Sequence, residues 1–154
     1  MPVMREGARA PHTVIAFDFG LKRIGIAAGD TLTCTAAPRP VIPVHERGPD
    51  WARIAQQIEA LHPQRLIVGA PYNVDGSPGA LAASARQFAA ELAHRFGLPV
   101  EMVDERWSSL EAAAALKARR ASGVLRRRVR REDIDSTAAA IILERWLSGE
   151  GGPT

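Results

Sequence analysis

From Thr13 the chain reads TVIAFDF, an apolar run of strand length broken by one charge, Asp18. Turn material GLKR follows, and IGIAAGD at 24–30 predicts a second strand folded back on the first as a hairpin. Val41 to Val44 predicts a third strand, confined to an edge because Pro40 and Pro43 restrict its ladder. After Asp50, a good N-cap, WARIAQQIEALH places apolar residues at 51, 54, 55, 58 and 61, the spacing of one helix face. RLIVGAP at 65–71 predicts a buried strand ended by Pro71, and a YNVDG loop follows. Ser77 and Pro78 predict the start of a helix that runs to about Phe96 and is closed by Gly97. Leu98 to Asp104 predicts another strand, and Ser108 with Glu111 a capping box opening LEAAAALKARR. Ser136 to Leu147 predicts a final helix.

The order β-β-β-α-β-α-β-α-α describes an α/β protein with a five-stranded mixed sheet. An antiparallel, hairpin-led half precedes parallel strands joined by right-handed helical crossovers, which place helices on the faces. Its 154 residues suit one domain, expected over 13–148. The polar, Pro-containing 1–12 and the GEGGPT end at 149–154 read as flexible tails. No secretory pattern or apolar run of membrane-spanning length occurs, so no membrane partner is expected. A single cysteine, Cys34, excludes an internal disulfide framework and fits a reducing cytoplasm.

Charge changes this ordinary picture. KARRASGVLRRRVRR at 117–131 holds eight of the chain's 20 Lys+Arg and no acid. The remainder has 12 basic and 17 acidic residues, a net charge of −5 against +3 for the whole. Gly123 and the arginines predict a mobile basic loop. A solvated charge run is the bland reading; a basic arm for nucleic acid is the functional one. Glu132, Asp133 and Asp135 follow at once and would repel a polyanion unless cations lay between.

Three carboxylates stand out by position. Asp18 interrupts a buried strand, where a charge is costly unless paired with a residue such as Lys22 or Arg23, or with a bound cation. Glu105 and its neighbour Asp104 end a strand at the carboxyl edge, where open α/β sheets place their sites. Alternation allows only one of the two to join Asp18. Asp135 opens the last helix, with Asp133 competing for the capping role. Acids from two strand ends and a helix start could converge into an oxygen cage suited to Mg²⁺ or Mn²⁺. His12, His45, His62 and His94 lack zinc-ligand spacing, and Cys34 has no catalytic partner nearby in sequence.

FDFGLKRIGIAAGD, IVGAPYNVDGSPG, VDERWSSLEA and DIDSTAAAIILERW occur in this order between Thr13 and Leu147. In this the chain resembles the YqgF (RuvX-type) proteins, a family described as Holliday junction resolvases and as the nuclease that matures pre-16S ribosomal RNA. The resemblance implies an RNase H-like fold with a catalytic, metal-binding triad of Asp18, Glu105 and Asp135 and two divalent ions. It thereby selects Glu105 over Asp104 and Asp135 over Asp133. Trp107 departs from the family pattern and fits either base stacking or core packing.

The function expected is metal-dependent endonuclease action on structured nucleic acid, either branched DNA or precursor rRNA. Lys22, Arg23 and Arg106 are candidate phosphate contacts, and Asn73 lies in the loop at a strand's carboxyl end, where a ligand loop would sit. Arg126, Arg127, Arg128, Arg130 and Arg131 would grip the substrate backbone. The two-fold symmetry of a four-way junction would favour a homodimer. A non-catalytic nucleic-acid-binding factor is the main rival. A sugar-kinase-like or actin-like nucleotide-binding protein would need two lobes, which this length does not supply.

Overall fold

A computed structural model describes residues 11–70, 81–104 and 131–149, with the side chains of 70, 104 and 131–135 excepted. Its sheet has six strands in the order β4-β3-β2-β1-β5-β6. They are β1 (Thr13–Asp18), β2 (Arg23–Asp30), β3 (Thr35–His45), β4 (Gly48–Pro49), β5 (Arg65–Ala70) and β6 (Val100–Asp104). The described helices are α1 (Trp51–Leu61), α2 (Ala82–Phe96) and α3 (Arg131–Leu147). Strands β1 to β4 form an antiparallel meander, whereas β5 and β6 run parallel to β1. This is the mixed α/β sheet expected, with one strand more than five. The extra strand, β4, has two residues, too few for any periodicity.

Alternation along β1 divides the core. Ile15 and Phe17 face one way, into a cluster with Ile54 of α1 and Phe88 and Leu92 of α2. There the Phe17 and Phe88 rings meet edge to face at 5.5 Å, and Trp51 stacks on Phe88. Val14 and Ala16 face the other way, against Ala139, Ala140, Ile142 and Leu143 of α3. The alanines let α3 lie close on β2. A Cβ built on Gly29 would meet Leu143 at 2.9 Å and the Thr35 carbonyl oxygen at 2.6 Å.

Local signals account for most element ends. Asp50 caps α1 by accepting the Arg53 N–H, and that hydrogen bond holds its carboxyl below the usual range. Gly97 closes α2 in the left-handed conformation and donates its N–H to the Ala93 carbonyl.

Two expectations need correction. Strand β3 spans Thr35–His45 rather than 41–44, because Pro38, Pro40 and Pro43 mask its pattern without preventing pairing along one edge. Helix α3 begins at Arg131 rather than Ser136. An acidic first turn, REDI, suits the positive end of a helix dipole, so the helix extends through it, and Asp135 follows that turn. The helix expected after Ser108 and the start expected at Ser77–Pro78 lie outside the described residues. No described helix is long and apolar enough to cross a membrane.

Candidate active site

Asp18 is the last residue of β1 and is 8% exposed, one of three buried polar side chains among the described residues. It has the parity of Val14 and Ala16, so it belongs to the face that α3 covers. Its register partners are Gly25 on β2 and Gly69 on β5, and Gly69 in turn pairs with Val103 on β6. Partners in register project to the same face. Across four strands this face therefore carries no side chain, Asp18, no side chain, and Val103. Asp18 thus stands between two glycines in register, at the carboxyl edge of the parallel strands.

The β1–β2 turn and the start of β2 carry Lys22 and Arg23. A Cβ on Gly20 would sit 2.6 Å from the Arg23 carbonyl oxygen, so this close approach of two backbone segments requires glycine. The tight turn leaves Lys22 exposed beside Leu21, which is 63% exposed. The Lys22 carbonyl accepts the Val44 N–H, which ties the turn to β3. Arg23 is half-buried and, by alternation from Ile24 in the opposite cluster, shares the face of Gly25 and Asp18.

Helix α3 is fastened at both ends. Near its start the buried Ser136 hydroxyl donates to the Arg39 carbonyl at 2.8 Å. Arg39 pairs with Ile26, which pairs with Phe17, so this contact lies one residue from the level of Asp18. Near its end, Trp146 Nε1 donates to Glu101 at 3.1 Å, and Arg65 lies both over the Trp146 ring and within 3.4 Å of Glu101. Glu101 and Arg65 occupy the other end of the sheet. The helix thus runs antiparallel to β1, and the backbone of Asp135 stands at the edge where Asp18 ends β1.

The structure therefore brings Asp18, Lys22, Arg23 and the start of α3 to one edge. Glu105, Arg106, Asn73, Arg126, Arg127, Arg128 and Arg130 lie outside the described residues, and Arg131 and Asp135 are described in backbone only. Among the described residues no group of three His, Cys, Asp or Glu comes together. Sequence reading passed over Gly25, Gly69 and Ser136. A signal for the glycines was present, since each interrupts an apolar strand, RIGIA and LIVGA.

A buried acid at the end of a central strand, on a mixed sheet closed by a helix over that face, is the frame of an RNase H-like nuclease. RuvC of T. thermophilus, solved in complex with a Holliday junction substrate, superposes with a TM-score of 0.54. The match covers 93% of this chain and 99% of that one at 18% identity, so the likeness concerns the fold. The family model described as RuvX, Holliday junction resolvase, matches residues 12–149, and the chain belongs to that family. A relative from Coxiella burnetii named "Putative pre-16S rRNA nuclease" is 44% identical over 133 residues, covering 86% of this chain and 90% of the relative. One of the same name from Nitrosococcus oceani is 45% identical over 139 residues, covering 90% and 88%.

Proposed function

We propose that the protein is a divalent-metal-dependent endonuclease of structured nucleic acid, with Asp18, Glu105 and Asp135 as its catalytic carboxylates. The observation that carries this reading is Asp18 itself, 8% exposed on the face covered by α3 and flanked in register by two glycines. Strand parity supports Glu105 over Asp104. Val103 packs with the α3 cluster, and the next residue of its parity is 105. Asp135 is supported by the helix start lying at the same edge.

Carboxylate oxygens are the donor class that Mg²⁺ and Mn²⁺ take, and the three acids fit such ions. A pair of bound ions would supply water activation and stabilisation of the departing oxygen. The chain's own residues hold and orient the scissile phosphate. The glycines in register with Asp18 would leave it room, and Lys22 and Arg23, on the turn and strand that follow β1, would neutralise it. Asn73, Arg106 and the arginines at 126–128, 130 and 131 bind the flanking backbone, within one nuclease domain over 13–148. The cell compartment is the cytoplasm. On a two-fold symmetric junction the working form would be a homodimer.

The names of the relatives favour precursor rRNA, and the family description favours a Holliday junction. The test is cleavage of a synthetic four-way DNA junction and a pre-16S rRNA fragment side by side, with and without Mn²⁺. Cleavage of one of them that requires Mn²⁺ supports the proposal. Tight binding without cleavage of either would make the protein a non-catalytic nucleic-acid factor.

A further inference from the structure

We infer that Ser136 is a positioning residue, which sets Asp135 through its bond to the Arg39 carbonyl. This rests on the proposed role of Asp135 and adds a device on which that role depends. Three features make the bond more than a stray contact.

The first is its acceptor. Between Ile24 and Ile26 of β2 the register on β3 moves from Ile42 to Arg39, three residues against two. This is a bulge, and it contains Pro40, which has no N–H to give the ladder. Bulges disrupt pairing locally and re-aim the groups beside them. Here the carbonyl just before the proline accepts the helix hydroxyl. The Arg39 side chain is meanwhile held from the opposite face, its Nε donating to Gln57 of α1 at 2.9 Å. The acceptor is thus fixed to the body of the protein.

The second is the donor. A serine inside a helix commonly bonds back to its own i−4 carbonyl. Ser136 instead spans 97 positions of sequence to a strand, and it is 5% exposed. Alanine would be the better helix former there and would match Ala138, Ala139 and Ala140 beside it. What the hydroxyl adds is direction.

The third is its place. Other described contacts of α3 include the apolar ones of Ala139, Ala140, Ile142 and Leu143, which tolerate small slides, and the Trp146–Glu101 bond at the far end. Ser136 follows Asp135 directly, about 1.5 Å of helix rise away. A slide or roll of the helix start would move Asp135 almost undiminished. Catalytic groups must be held to within about 0.5 Å, and an error of about 1 Å can reduce rate by about 100-fold.

A purely structural serine would affect stability alone. The experiment therefore compares Ser136→Ala and Ser136→Thr with Ile142→Val, a mild truncation on the same helix. Three quantities are read below all unfolding midpoints: Mn²⁺ affinity of the metal-free protein by titration calorimetry, kcat and KM. Ser136→Ala should weaken Mn²⁺ binding by at least about fivefold and lower kcat by at least about tenfold, with KM changed less than about twofold. Ser136→Thr, which keeps the hydroxyl, should recover most of both losses, and Ile142→Val should match the wild type. The inference is overturned if Ser136→Ala keeps wild-type Mn²⁺ affinity and kcat, or if Ile142→Val loses as much. An inactive Asp135→Asn beside a normal Ser136→Ala would remove this inference and leave the proposed function standing. An active Asp135→Asn would remove the role of Asp135 and this inference with it.

Discussion

Asp18 on β1 and Gly69 on β5 share one register, so the partner of the buried carboxylate on that strand is a residue without a side chain. Gly25 repeats the relationship on the other side. The two glycines differ in what covers them. Helix α3 lies chiefly over β2 and β3, where small residues admit it, whereas it barely touches β5. Close helix packing explains Gly25 in part; if Gly69 keeps room for the substrate of the proposed site, a larger residue there should impair the chemistry.

Gly69→Val should therefore lower kcat by at least about tenfold, with substrate affinity changed less than about threefold. The valine would intrude on the space that the proposed site gives to the phosphate and its cations. Single-turnover cleavage beside a binding titration checks this. Normal turnover in the variant would mean that the space beside Asp18 is not used.

Gly29→Ala should destabilise the fold without touching the chemistry. Its Cβ would lie 2.6 Å from the Thr35 carbonyl oxygen and 2.9 Å from Leu143, so backbone or helix must give way. Overpacking of this kind costs about 1–3 kcal/mol. A denaturant titration should show the loss, and activity measured well below the midpoint should stay near the wild-type value.

Replacing Arg126, Arg127 and Arg128 together with alanine should weaken binding about equally for all nucleic-acid sequences. The slope of log affinity against log salt should flatten by about 0.7–0.9 for each phosphate that the variant no longer neutralises. Mn²⁺ affinity should hold. An unchanged affinity and slope would reduce the basic stretch to a solvated charge run.

Much of the fold can be read along the chain because its devices are local. Asp50 caps α1, Gly97 ends α2, and strict alternation in β1 already sorts Asp18 onto one face. The full length of β3 is harder to read: Pro40 and Pro43 point to an edge, but Pro38 and the residues before it look like loop and hide the pairing from Thr35 onward. β4 is set by two residues closing back on β3. The start of α3 is misread because Asp133 and Asp135 have the composition of caps, which sets the expected helix after them, whereas the helix runs through them from Arg131. At the site, Asp18 announces itself as a charge among apolar residues. The pairing of glycines beside it depends on the register of three strands, which no single stretch of sequence displays.

The most direct measurement is single-turnover cleavage, at saturating Mn²⁺ on the better of the two substrates, by matched carboxamide variants. Asp18→Asn, Glu105→Gln and Asp135→Asn should each fall by at least about 100-fold, while Asp18→Asn binds substrate as well as the wild type or more tightly, having lost a charge that repels phosphate. Asp104→Asn and Asp133→Asn should stay within about threefold of the wild type. Retention of more than about 5% of wild-type turnover by Asp18→Asn, or the reverse ranking of the neighbouring acids, would contradict the catalytic role given to these carboxylates.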